Sequence, residues 1–217
     1  MKKVVLIGII LFCCLHSYSK SFNLPKKYTD NTHRGFYLSM ALGYNSTSID
    51  ADSKNYGNSN FKGAGGVIDL KIGGTLTENV ILHATILSHG VTGPKIEKEN
   101  NYNNNFKADN KLLISEGMIG VGLTYYTPDN IFLSTSLGIG SFGFENKRED
   151  IDFTTDKGFG FQFKAGKEWW LSRKWGIGVA AYFHTTDCIN QEGSYAEENI
   201  SSRNFGIVFN ATLNGQK

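Results

Sequence analysis

Apolar and polar residues alternate with a period of two in eight segments, and this pattern constrains the fold more than any other feature. In one segment the apolar residues at 119, 121, 123 and 125 alternate with Gly120, Gly122 and Thr124. The segments span about 35–47, 64–76, 80–89, 112–126, 131–144, 158–170, 175–186 and 203–213. Such alternation predicts antiparallel strands that each have one apolar face. Phe142 and Phe144 fall on the polar side of the fifth segment, which predicts a β-bulge near Ser141.

The connections between these segments alternate in length. Three short ones at 77–79, 127–130 and 171–174 can each form a tight turn. Four long ones span about 48–62, 90–111, 145–157 and 187–202. Membrane barrels have short periplasmic turns and long extracellular loops, so the chain is predicted to be an all-β, eight-stranded antiparallel up-and-down barrel.

The N-terminus has the features of a secretory signal peptide. Lys2 and Lys3 precede an apolar run from 4 to 15, and small residues at Ser17 and Ser19 suit a cleavage site after Ser19. The run is shorter than the roughly 20 residues of a membrane-spanning helix. A lipoprotein anchored through Cys14 is the alternative. We therefore predict a signal peptide at 1–19, a periplasmic segment at 20–34, a barrel at 35–213 and a short tail at 214–217.

Removal of that leader changes both charge and cysteine content. The formal net charge of +2 falls to 0, because Lys2 and Lys3 are lost without any acidic residue. No basic excess then favours a nucleic-acid partner. Cys188 alone remains of three cysteines, so no internal disulfide is expected. We place it in the last long loop as a free thiol.

Alternation alone does not decide whether the apolar face contacts lipid or a core. In a soluble barrel or sandwich the aromatic side chains would have to fill the interior, which in eight strands is narrow. The strand charges also lie on the glycine-rich face, where they avoid a cost of about 2–4 kcal/mol for a basic residue at the bilayer centre. Both observations favour lipid contact. Large outward aromatics gather near the strand ends and predict two interfacial girdles: Phe36, Tyr44, Tyr125, Phe159, Trp169, Trp175, Phe183 and Phe205.

The chain resembles the small outer-membrane β-barrel proteins, the group of the OmpA transmembrane domain, OmpX and the opacity-like porins. The resemblance rests on strand number, loop asymmetry and segments such as 120–126 and 176–183, and it covers 35–213. It implies outer-membrane lipids and the barrel-assembly machinery as partners. That family usually ends on an aromatic residue, whereas residues 214–217 follow the last alternating segment here.

The inward polar residues predict a network inside the barrel. Asp69, Lys71, Glu116 and Lys164 are expected to pair and close the lumen, because buried charges require partners. Simple filling of the lumen without gating is the alternative. The full predicted network is Asp69, Lys71, Glu116, Gln162, Lys164, Glu168, Tyr182 and His184.

Two kinds of chemistry are alternatives to this structural role. His184 and Thr186, with Glu192 beyond, resemble the acyl-transfer residues of outer-membrane lipid A deacylases, but their parity points them into the lumen. His83 and His89 come from a different segment than His184, so we expect solitary hydrogen-bonding histidines and no metal site. No catalytic residue and no cofactor is predicted.

We therefore predict a non-enzymatic integral protein of the Gram-negative cell outer membrane with a closed polar lumen. Four long surface loops would serve envelope structure or contact with an extracellular partner. A narrow passive pore is the main alternative, followed by a lipid A-modifying hydrolase and then a soluble ligand binder.

Overall fold

The structure is a computed structural model that describes residues 33–53, 57–98, 106–108, 110–148, 150–190 and 198–215. The predicted signal peptide, most of the predicted periplasmic segment and Glu192 lie outside these residues. Within the described ranges there is no helix with the length and hydropathy that a helical membrane crossing requires.

The described chain consists of strands joined by turns. Their bounds are β1 (Phe36–Ser53), β2 (Gly57–Thr77), β3 (Val80–Thr92), β4 (Lys95–Lys98), β5 (Phe106–Lys107), β6 (Leu112–Tyr126), β7 (Ile131–Asn146), β8 (Ile151–Thr154), β9 (Gly158–Trp170), β10 (Trp175–Asn190) and β11 (Glu198–Asn214).

Eight of these strands form a closed antiparallel barrel, which confirms the predicted fold class. The order around the barrel is β1, β2, β3, β6, β7, β9, β10 and β11. Closure comes from β1, which pairs with β2 on one side and with β11 on the other. No barrel strand therefore has a free edge, as a membrane requires. The short strands add to the hairpins: β4 pairs with β2, β5 with β4, and β8 with β7.

Several strands continue beyond the predicted bounds at the long-loop rim. The β1–β2 ladder runs as far as the pair Ser53 and Gly57, and the β10–β11 ladder as far as Asn190 and Glu198. Much of the chain assigned to long loops is thus paired strand. In membrane barrels this rim is the extracellular one.

Residue parity separates an inner and an outer face along each strand. In β6, Ile119 and Val121 are exposed on the outside, whereas Met118 and Thr124 are buried inside. Glycine allows the closest approaches on the inner face. A Cβ at Gly120 would lie 2.1 Å from the carbonyl oxygen of Leu137 and 2.7 Å from the Cα of Gly138.

The predicted bulge near Ser141 is wrong. The register between β6 and β7 runs without a shift from Leu112 and Asn146 to Tyr126 and Phe132. Phe142 keeps inward parity and is completely buried. Apolar side chains fill the barrel interior at this height, so an inward phenylalanine needs no change of register.

Cys188 is not in a loop, contrary to our prediction. It lies in β10 with its side chain buried, and it forms no disulfide within the chain. Its Sγ donates to Thr155 Oγ1 at 3.6 Å.

Candidate functional site: the polar lumen

A lysine–aspartate cluster crosses the middle of the lumen. Lys164 Nζ donates to Asp69 Oδ2 at 2.8 Å, and Lys71 Nζ lies 3.3 Å from Oδ1. Gln162 completes the cluster: its Nε2 donates to Asp69 Oδ2 at 3.2 Å, and its Oε1 accepts from Lys71 at 2.6 Å. One carboxylate thus pairs with two ammonium groups, so each charge has a partner of opposite sign.

Hydroxyl groups on neighbouring strands extend this cluster. Lys71 Nζ donates to Ser136 Oγ at 3.2 Å and to Thr85 Oγ1 at 3.4 Å. His83 is bonded on both ring nitrogens, to Thr85 and to Thr124, each at 3.0 Å. Side chains from β2, β3, β6, β7 and β9 are therefore joined across the interior.

A histidine–glutamate cluster of His89, Glu116 and His184 lies closer to the extracellular rim. His89 Nε2 is 3.2 Å from Glu116 Oε2, and His184 Nδ1 is 3.1 Å from Oε1. The same two ring nitrogens are 3.3 Å apart. Ser202 Oγ donates to Oε1 at 2.7 Å, and Asn204 Nδ2 donates to Oε2 at 3.1 Å. The carboxylate is thus enclosed by four side chains.

A third cluster surrounds Glu168 near the short-turn rim. Its Oε2 accepts from Tyr126 OH at 2.9 Å, Thr212 Oγ1 at 2.9 Å and Asn210 Nδ2 at 3.2 Å. Its Oε1 lies 3.7 Å from His33 Nε2. A single carboxylate therefore links β6, β9 and β11 to the residues that precede β1.

His33 closes the barrel at this end, although we assigned it to the segment before the barrel. Its ring stacks on Tyr126 with a centroid separation of 3.4 Å and lies 4.8 Å from the ring of Trp170. Its backbone N–H donates to Asn79 Oδ1 at 3.3 Å in the first short turn. The sequence offers no periodic signal for this contact, because His33 lies outside the alternating segments.

All eight predicted lumen residues point into the barrel and are at most 4% exposed. They do not form one network. Asp69, Lys71 and Lys164 meet, whereas Glu116 lies apart from the lysines and contacts histidines. Tyr182 OH has no hydrogen-bond partner among the described residues.

The expectation of solitary histidines is wrong for two of the three. His89 and His184 contact each other and share Glu116, whereas His83 lies apart and bonds to hydroxyl groups. Residue spacing could not reveal this, because the three partners come from β3, β6 and β10. Parity did place all of them on the inner face.

Apolar side chains fill the interior above the polar clusters. This apolar layer consists of Ile49, Ala51, Ile114, Phe142, Cys188 and Ile200, with Phe61, Leu112 and Phe144 packed against it. It lies in the strand extensions near the extracellular rim. The interior therefore changes from a mixture of polar clusters and apolar side chains such as Leu87 and Met118 at mid-height to a largely apolar outer end.

The predicted girdle residues lie on the outer face. Six are exposed, namely Phe36, Tyr44, Tyr125, Phe159, Trp175 and Phe205. Trp169 and Phe183 are half-buried, and the Phe183 ring lies 4.9 Å from that of Phe205. The exposed apolar belt between the girdles includes Ile119, Val121 and Ile139.

The geometry does not favour the acyl-transfer arrangement. His184 and Thr186 are both completely buried in the lumen, out of contact with lipid. Thr186 Oγ1 has no hydrogen-bond partner among the described residues, so it is not bonded to the imidazole.

Comparison with known proteins gives relatives by structure alone. No known protein family matches the chain, and no curated protein matches it. The structure is similar to Neisserial surface protein A, with 9% identity, a TM-score of 0.50 and coverage of 83% of this chain and 97% of that one. It is also similar to the outer membrane protein OprG from Pseudomonas aeruginosa, with 11% identity, a TM-score of 0.51 and coverage of 84% and 98%.

These likenesses agree with the closed barrel and its exposed apolar belt. The chain therefore has the fold of the small eight-stranded outer-membrane β-barrels, as predicted, and its outer belt makes it an integral membrane protein of that type.

Proposed function

We propose that this protein is a non-enzymatic outer-membrane barrel with a closed lumen, which holds four extracellular hairpins at the cell surface. The hairpins would contribute to envelope structure or bind an external partner. The filling of the lumen carries the proposal.

Burial at every height supports a closed lumen. Tyr126 is buried near the short-turn rim, Lys71 at mid-height, and Phe142 in the apolar layer. A water-filled passage would leave inward side chains exposed to solvent along its length. The polar residues are also bonded to one another, so opening a passage would leave charges without partners.

The hairpins provide a rigid extracellular surface. Paired strands extend beyond the membrane belt, and exposed ion pairs stabilise their sides. Lys62 and Lys95 both donate to Glu97 on the β2–β4 pair. Loops on a rigid scaffold are typical sites of recognition.

Planar-bilayer recording tests the closed lumen. We expect purified wild-type barrel to give no steady conductance. The replacement of Lys71, Lys164 and Asp69 together by alanine should also give no current, because Tyr126 and the apolar layer still close the lumen on either side. Steady conductance from the wild-type protein would support the narrow pore instead.

Surface display has a separate test. A membrane-impermeant amine reagent applied to intact cells should label Lys95 and Lys147 on the long-loop rim. It should spare Lys174, which is exposed in the last short turn. Labelling of Lys174 in sealed cells, without the other two, would reverse the proposed orientation.

A further inference from the structure

We propose that His89, Glu116 and His184 form a buried binding site for a divalent transition-metal ion of the zinc type. The site would join β3, β6 and β10 across the lumen. This inference does not depend on the proposed surface role.

The spacing of the three donor atoms fits one metal ion. Zinc bonds of 2.0–2.1 Å in tetrahedral geometry place two ligands about 3.3–3.4 Å apart. The two ring nitrogens are 3.3 Å apart, and each faces a different oxygen of Glu116: His184 Nδ1 lies 3.1 Å from Oε1 and His89 Nε2 lies 3.2 Å from Oε2. With one donor atom taken from each residue, the three atoms lie within 4.8 Å of one another. The structure thus brings two imidazoles and one carboxylate close enough to bind a single metal ion.

The charge of the site also calls for a cation. Glu116 is almost completely buried, and among the described residues no lysine or arginine pairs with it. Lys71 and Lys164 pair with Asp69 instead. Its other partners, Ser202 and Asn204, are neutral. A positive partner stabilises a buried carboxylate, and a metal ion or a proton on a histidine would supply one here.

The two facing ring nitrogens distinguish these cations. A hydrogen bond between His89 Nε2 and His184 Nδ1 needs a proton on one of these nitrogens and a lone pair on the other, whichever ring donates. A metal ion binds the lone pairs of both nitrogens at once. Metal binding therefore releases any proton shared within the cluster.

Neighbouring groups hold the ligands in place. Ser202 and Asn204 each donate to one oxygen of Glu116, as partners of metal-binding carboxylates commonly do. The side-chain amide of Asn45 lies 3.4 Å from His89 Nδ1, and Asn45 Oδ1 has no partner in the assigned orientation.

The donor set indicates the class of ion. Two imidazoles and one carboxylate suit zinc and its neighbours in the first transition series, and not calcium or magnesium. Three protein ligands leave one position for water. The site lies on rigid strands and under the apolar layer, so we infer a stabilising ion and no reaction.

The test uses untagged protein purified from membranes, treated with a chelator and then titrated with Zn²⁺ or Co²⁺. We expect one zinc ion per barrel and the visible absorption bands of four-coordinate Co²⁺. Bound zinc should also raise the temperature at which the folded barrel, recognised by its migration on an unboiled gel, is lost. His89→Gln and His184→Gln should weaken Zn²⁺ binding by more than about 100-fold, beyond the loss expected when a residue that only hydrogen-bonds to a ligand is removed.

His83→Gln is the matched control, because His83 is a buried lumen histidine on the same strand but outside the cluster. It should bind zinc like the wild type. Heat-modified migration on gels shows whether each variant has folded. If only one of His89→Gln and His184→Gln folds, that variant alone is compared with the wild type. Absence of saturable Zn²⁺ and Co²⁺ binding by folded wild-type protein would overturn the proposal and assign the cation to a proton. Equal binding by the folded His89 or His184 variant would also overturn it.

Discussion

Glycines in the barrel wall differ in the space around them. At Gly120 a methyl group would collide with the backbone of Leu137 and Gly138 on the adjacent strand. At Gly66 a methyl group would meet nothing within 4 Å. Alanine variants at the two positions therefore distinguish the cost of a backbone collision from the general effect of adding a methyl group.

We expect Gly120→Ala to destabilise the barrel by about 1–3 kcal/mol, because backbone atoms must move to relieve the overlap. Gly66→Ala should change stability by less than about 0.5 kcal/mol. Urea unfolding in detergent, followed by tryptophan fluorescence, measures both. Equal effects at the two sites would contradict the close packing of β6 against β7.

Breaking the buried lysine–aspartate cluster should cost more stability than breaking an exposed ion pair. Asp69→Asn would leave Lys71 and Lys164 buried without an anion, which should cost about 3–5 kcal/mol of stability. Asp50→Asn removes an ion pair with Arg203 at the surface and should cost less than about 1 kcal/mol. The same unfolding assay compares them, and similar costs would show that Asp69 is hydrated.

At the scale of elements, the outer face of the barrel strands should tolerate a charge according to its depth in the membrane. Ile119→Arg places a charge in the middle of the apolar belt and should cost about 2–4 kcal/mol. Ile189→Arg, on an exposed residue near the extracellular end of β10, should cost about 0–1 kcal/mol. Folding titrations into lipid bilayers provide the measurement. Equal costs would mean that the belt does not contact acyl chains.

Two carboxyl groups at the extracellular rim should have pKa values shifted in opposite directions. Hydrogen bonds from Lys62 and Lys95 lower the pKa of Glu97 to about 2, whereas burial raises the pKa of Glu198. The contribution of Glu97 to hairpin stability is therefore present above its unfolded pKa of about 4.5 and is lost as the pH falls towards 2. Carboxyl-carbon NMR titration should give a lower midpoint for Glu97 than for Glu198, and the opposite order would refute the hairpin contacts.

The sequence predicted the strands well where both faces had a clear preference. The predicted bounds of β6 and β9 match the structure, since period-2 alternation is clear through the middle of both strands. At the extracellular ends of the strands this alternation disappears, because the barrel interior there is apolar and both faces of a strand carry similar residues. Phe142 is the clearest example, and the same effect hid the true length of β10 around Cys188.

For the candidate site, the sequence predicted which side chains face inward but not which of them contact each other. Parity shows that His89, Glu116 and His184 face inward, but only the register of several strands shows that they meet. The contact of His33 with Tyr126 has no pattern at all in the sequence. Pair contacts inside a barrel depend on strand order and stagger, which a single strand does not encode.

At the scale of the whole molecule, the account depends on which methyl groups contact lipid. Nuclear Overhauser effects between protein methyls and lipid acyl chains in bilayer nanodiscs measure this directly in the unmodified protein. We expect contacts from Ile119 and Ile139, which lie on the outer face, and none from Ile81 or Val208, which are buried in the lumen. Lipid contacts from Ile81 and Val208, with none from Ile119 and Ile139, would contradict the account.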